Sequence, residues 1–119
     1  MSEKNILIAE DDVITAMDLE LTLRSWNYNV KSIASGEEAV KEAFENKPDL
    51  ILMDIDLKGM NGIEASKKIE KLSIPIIYVT GRDVEKLVQS VETSIPTYLM
   101  KPFDRDLLQN EIQSALKEA

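Results

Sequence analysis

The sequence predicts an α/β domain in which five parallel strands alternate with five helices that cover both faces of one sheet. Three observations predict it. Short apolar runs recur along the chain, and the most uniform of them suit strands covered on both faces. Segments with apolar residues at helical spacing separate these runs. No internal repeat, low-complexity segment or linker interrupts the alternation.

Ile6-Leu7-Ile8-Ala9 reads as the first strand and ends in Glu10-Asp11-Asp12. From about Val13 to Trp26 the pattern is helical, with Asp12 as N-cap. Its apolar residues form two stripes: Val13, Ile14, Met17 and Leu21 on one, Ala16, Leu19, Leu23 and Trp26 on the other. One stripe is expected to face the sheet. The other packs on a neighbouring helix or forms a partner-docking surface. Asn29-Val30-Lys31-Ser32-Ile33 alternates as a half-exposed edge strand does. Ser35 and Glu38 read as a capping box, opening a helix that buries Ala39, Val40, Ala43 and Phe44 and stops before Pro48.

Leu50-Ile51-Leu52-Met53-Asp54 is the central strand, and Ile55 to Gly62 reads as a loop. Asp54 either caps a turn of that loop or serves a site, since ligands of parallel sheets sit beyond the carboxyl ends of the strands. Gly62 opens a third helix to about Leu72. Ile76-Ile77-Tyr78-Val79 is the fourth strand and leads into Thr80-Gly81-Arg82. Val84, Leu87, Val88 and Val91 mark a short fourth helix, and Thr97-Tyr98-Leu99-Met100 a fifth strand ending in Lys101-Pro102. The last helix is capped by Asp104 and runs through Leu107, Leu108, Ile112, Ala115 and Leu116.

The 119 residues suffice for one hydrophobic core and are too few for two, so residues 1–119 read as a single domain. A net charge of −8 argues against nucleic acid or an anionic membrane as a direct partner. With no Cys there is no thiolate chemistry, and with no His there is no histidine phosphorelay within the chain. Neither a signal core nor a membrane-spanning run is present, and a cytoplasmic location is expected.

If the sheet is parallel, Glu10, Asp11, Asp54, Thr80 and Lys101 converge on one edge. Three clustered carboxylates raise one another's pKa unless a cation neutralises them, and one lysine cannot neutralise three. Oxygen ligands without His or Cys select Mg²⁺, Mn²⁺ or Ca²⁺, and a small carboxylate set suits Mg²⁺ best. A metal beside a carboxylate, a hydroxyl and a lysine has the parts for phosphoryl transfer to aspartate.

Read in order, Ile6-Leu7-Ile8-Ala9-Glu10-Asp11-Asp12, Leu52-Met53-Asp54 with Gly62 beyond it, Val79-Thr80-Gly81 and Tyr98-Leu99-Met100-Lys101-Pro102-Phe103 resemble the receiver domains of two-component response regulators. The resemblance runs from about Asn5 to about Leu116. It implies a flavodoxin-like fold with strand order 2-1-3-4-5. It also implies a phosphoprotein of phosphorelay signal transduction, in which Asp54 accepts a phosphoryl group from a sensor histidine kinase or a histidine phosphotransfer protein. Asp11, Asp54 and the backbone carbonyl of Asp56 match the Mg²⁺ ligands, with Glu10 acting through a water.

Thr80 matches the hydroxyl, and Lys101 the ammonium, that hold the phosphoryl group, and the Lys101-Pro102 bond is cis in the family. Tyr98 matches the switch aromatic, its plain alternative being a half-buried strand tyrosine. The implied output is a switch face built from the fourth helix, fifth strand and fifth helix, contacting a downstream protein partner or a second copy of the chain. Such a domain is a phosphoacceptor that dephosphorylates itself, not a turnover enzyme. It is either a stand-alone regulator or a segment of a longer protein.

Two departures stand out. Lys58 occupies a position that is often proline, and Ser94-Ile95-Pro96 precedes the switch strand where many members have Gly-Ala. Asp56 and Arg82 match the two positions that flank the pocket mouth in the family and carry opposite charges, and the expectation is that they pair over it. Two other readings are kept: a phosphatase of the haloacid-dehalogenase type, from Asp54-Ile55-Asp56, and a receiver-like interaction module that is never phosphorylated.

Overall fold

A computed structural model describes residues 3–57, 59–81, 98–101 and 103–117, without the side chains of Thr80, Tyr98 and Met100. The strands are β1 (Asn5–Ala9), β2 (Asn29–Ile33), β3 (Leu50–Asp54), β4 (Ile76–Thr80) and β5 (Tyr98–Met100). They form one sheet in the order β2-β1-β3-β4-β5, every pairing parallel. Between them run α1 (Val13–Ser25), α2 (Gly36–Asn46) and α3 (Gly62–Lys68), and a C-terminal helix (Arg105–Ala115) follows β5. The expected fourth helix, with Ser94-Ile95-Pro96 after it, lies outside the described residues, as does Lys58.

All of β3 is buried, and its side chains alternate between two cores. Leu50 and Leu52 join Ile6, Ile8, Ile77 and Val79 beneath α1 and the C-terminal helix. Ile51 and Met53 join Leu7, Ala9 and Tyr78 beneath α2 and α3. This two-sided burial is why the strand reads as continuously apolar. Each such side chain contributes about 1.5–3 kcal/mol.

The caps fall where the sequence places them. Asp12 accepts from the Thr15 N–H, Ser35 from the Glu38 N–H and Asp104 from the Asp106 and Leu107 N–H groups. At α2 the Glu38 carboxylate accepts from the Ser35 hydroxyl at 3.3 Å.

Four expectations need correction. Leu19 and Leu23 face the sheet, but Val13, Ile14, Met17 and Leu21 are 55–78% exposed, so this stripe packs on no helix among the described residues. Phe44 is also exposed rather than buried, and the Lys71 ammonium sits 5.3 Å from its ring centroid. Leu107 is on the solvent side of its helix, Leu108 and Ile112 being the buried pair. The third helix stops at Lys68 and continues as a 3-10 turn over Glu70–Leu72.

Candidate functional site

Strand register brings the acidic residues together. Ala9 lies opposite Met53 and Asp54 opposite Val79, so the residue after β1 and the last residue of β3 come level. Thr80 lies opposite Met100, which places Lys101 one step beyond the same edge. Carboxylate oxygens of Glu10, Asp11 and Asp54 all lie within 4.8 Å of one another. Glu10 and Asp54 are buried, while Asp11 is partly open to solvent.

The Lys101 ammonium closes the cluster. Its Nζ makes an ion pair with Glu10 Oε1 and stands 3.3 Å from Asp54 Oδ2. Asp54 Oδ1 accepts the Asp56 backbone N–H at 3.0 Å, leaving Asp54 held between a loop amide and an ammonium. Glu10 Oε2 accepts from the Asp12 N–H at 3.3 Å, whereas among the described residues its Oε1 has no hydrogen-bond partner beyond the Lys101 ion pair.

Burial pushes the Glu10 carboxyl up to about 7, and the adjacent Asp54 adds to this against the opposing pull of Lys101. Burial disfavours the Lys101 ammonium, yet Glu10 and Asp54 outweigh it and hold its pKa above the ordinary value. Three carboxylates against one ammonium are thus under-compensated, and protonation of Glu10 is the ion-free remedy. A divalent cation is the other remedy. The donor set is all oxygen, with no His or Cys in the chain, and it fits a hard cation such as Mg²⁺.

Of the residues singled out in the sequence, Glu10, Asp11, Asp54 and Lys101 are gathered into one site, with the Asp56 backbone at its rim. Thr80 closes β4 and Tyr98 opens β5. The roles given to their side chains, the Lys101-Pro102 peptide bond and the Asp56–Arg82 pairing involve atoms outside the described residues. The sequence reading missed Glu37, which accepts from the Met60 N–H in the loop after β3. It also missed a chain of hydrogen bonds in which the Tyr78 hydroxyl donates to Ser66 Oγ at 2.6 Å and Ser66 donates to the Gly62 carbonyl at 2.7 Å.

Comparison with known proteins agrees with this architecture. The family model for the response regulator receiver domain matches residues 6–113. The transcriptional regulatory protein ZraR of Escherichia coli K12 is 36% identical over 115 residues, covering 94% of this chain and 26% of its own. The alkaline phosphatase synthesis transcriptional regulatory protein PhoP of Bacillus subtilis is 33% identical, covering 98% of this chain and 50% of its own. The chain therefore spans between a quarter and a half of the length of these relatives. Among solved structures, the receiver domain of the sensor histidine kinase PA1611 from Pseudomonas aeruginosa PAO1 superposes with a TM-score of 0.88 at 30% identity, covering 98% of this chain and 100% of its own. That crystal structure has a magnesium ion coordinated in the active site cleft. With a family match across most of its length and a five-stranded parallel sheet in the order 2-1-3-4-5, the chain belongs to the response regulator receiver domain family.

Proposed function

We propose that Asp54 is the phosphoacceptor of this receiver domain and takes its phosphoryl group from a histidine of a sensor kinase or histidine phosphotransfer protein. The observation that carries this is the meeting of Glu10, Asp11 and Asp54 within 4.8 Å, with the Lys101 ammonium 3.3 Å from Asp54. An Asp54 oxygen forms the new bond to phosphorus as the donor's P–N bond breaks, the electron pair leaving with the imidazole nitrogen.

Lys101 is placed to neutralise a phosphoryl oxygen, and the Asp56 N–H orients the acceptor carboxylate. Asp11, Asp54 and the Asp56 carbonyl would hold Mg²⁺, with Glu10 behind them, and the ion would supply charge neutralisation at the phosphoryl oxygens. Thr80 completes the set as the hydroxyl on the phosphoryl group, with Tyr98 as the switch aromatic. Hydrolysis of the acyl phosphate resets the domain, which is therefore a phosphoacceptor and no turnover enzyme. The family match favours this over the phosphatase and inert-module readings.

The donor docks on the exposed stripe of α1. Val13 and Ile14 follow directly on the acidic residues, and a groove shared by Ile14, Thr15, Asp18, Lys101, Phe103 and Arg105 joins α1 to the pocket mouth. An apolar patch contiguous with a reaction site is the natural seat of the protein that delivers the reactant. The output is a downstream protein partner, or homodimerisation, through the face that includes β5 and the C-terminal helix, where Leu107 is exposed. Direct binding of nucleic acid by this domain is not part of the proposal, given its charge of −8. A cytoplasmic location is proposed; among the described residues no helix is long and apolar enough to cross a membrane.

The test is beryllofluoride with Mg²⁺, followed by amide resonances. The wild type should shift at Asp54, Thr80 and Lys101 and Asp54→Asn should not. An unresponsive wild type would overturn the reading.

A further inference from the structure

The loop joining β3 to α3 carries the Asp56 carbonyl, and two of the contacts that fix its course come from within the connection itself. The Asp56 N–H donates to Asp54 Oδ1 and the Gly62 N–H to the Ile55 carbonyl, each at 3.0 Å. A third comes from a distant part of the chain. The Met60 N–H donates to Glu37 Oε1 at 3.2 Å across 23 residues.

Two glycines make that contact sterically feasible. A Cβ on Gly36 would stand 2.1 Å from the Met60 carbonyl oxygen, a backbone atom that cannot move aside alone. A Cβ on Gly59 would stand 2.8 Å and 2.9 Å from the two Glu37 carboxylate oxygens, and Gly59 has a left-handed φ of 72°. The first turn of α2 and the end of the loop are thus in backbone contact, with the Glu37 carboxylate against Gly59 and Met60.

We propose that Glu37 is a positioning residue of the phosphoryl site: its carboxylate latches the Gly59–Met60 peptide to α2 and so holds the loop that presents the Asp56 carbonyl to the metal. This rests on the metal-assisted phosphoacceptor reading above. The simpler role for Glu37 is that of any acidic residue in a first helical turn, favoured by the helix dipole alone. That role predicts an effect on α2 and none on the metal.

The experiment compares wild type, E37Q and E37A by Mg²⁺ titration calorimetry, with exchange of the Met60 amide proton measured in the metal-free proteins. Glutamine keeps an oxygen acceptor for the Met60 N–H while losing the same charge as alanine. E37A is expected to bind Mg²⁺ roughly fivefold more weakly and to exchange the Met60 proton roughly fivefold faster, the factor that the net contribution of one hydrogen bond sets. E37Q should stay within about twofold of wild type on both. An E37A protein with wild-type Mg²⁺ affinity overturns the inference, and so does an E37Q protein as weak as E37A, since charge would then be the cause. Wild-type protein that binds no Mg²⁺ would sink the functional reading as well, which separates the two failures.

Discussion

Lys101 Nζ lies 3.3 Å from Asp54 Oδ2, joining the ends of two strands that are 47 residues apart in sequence. The same ammonium pairs with Glu10, so a single side chain offsets two buried carboxylates. Lys101→Ala should destabilise the ion-free protein by about 1–3 kcal/mol, because both carboxylates lose their counter-charge. Urea unfolding in a chelator measures this. Added Mg²⁺ should recover more stability in the variant than in wild type, and equal recovery would show that the lysine and the ion do not share a task.

Glu10 gives the ion-free protein a characteristic pH dependence. Its folded carboxyl titrates near 7 against an ordinary value of 4.5, so the folded state binds the proton more tightly than the unfolded state. Stability from this group is fully present below 4.5 and is lost as the pH rises through 7. The loss should be on the order of 3 kcal/mol. Urea midpoints from pH 4.5 to 8 in a chelator should therefore fall, and Glu10→Gln should flatten that slope. A slope unchanged in Glu10→Gln would place its origin elsewhere.

Gly62 packs its α-carbon against the backbone of Asp54. A Cβ there would stand 2.3 Å from the Asp54 carbonyl oxygen, whereas a Cβ on Gly81 would meet nothing within 4 Å among the described residues. Gly62→Ala should cost about 1–3 kcal/mol and Gly81→Ala less than about 0.5 kcal/mol. Denaturation midpoints of the two variants, measured side by side, check the contrast.

The exposed stripe on α1 should matter to the donor and not to the fold. Ile14 and Leu21 are 78% and 69% exposed. Replacing both with serine should leave unfolding within about 0.5 kcal/mol of wild type. Phosphoryl uptake from acetyl phosphate should be unchanged, while transfer from a cognate phosphohistidine protein should slow at least roughly tenfold, the effect of about 1.4 kcal/mol of lost docking. Equal rates from the protein donor would remove α1 from the docking surface.

Much of the fold was legible because β3 is buried on both faces and so reads as an unbroken apolar run bounded by turn signals, and because acids that end strands of one parallel sheet come to a common edge. The fate of Val13, Ile14, Met17 and Leu21 was open in the sequence, since helical spacing puts residues on a common side without saying what lies opposite. Phe44 and Leu107 were assigned to the core for the same reason: each neighbours truly buried positions, and a small rotation of the helix decides the outcome. Glu37 carried no signal of its own. It sits beside Glu38, whose spacing from Ser35 matches a known cap, and nothing local ties it to Met60. A glycine on each side of the contact, Gly36 and Gly59, is the one signal that could have suggested a close backbone approach.

The central claim is that Asp54 alone takes the phosphoryl group. Its most direct test is incubation of wild type and Asp54→Asn with labelled acetyl phosphate and Mg²⁺, followed by counting of protein-bound label. The account predicts up to one base-labile, hydroxylamine-sensitive phosphoryl group per wild-type chain, no label without Mg²⁺ and none on the variant. Undiminished labelling of Asp54→Asn would contradict it.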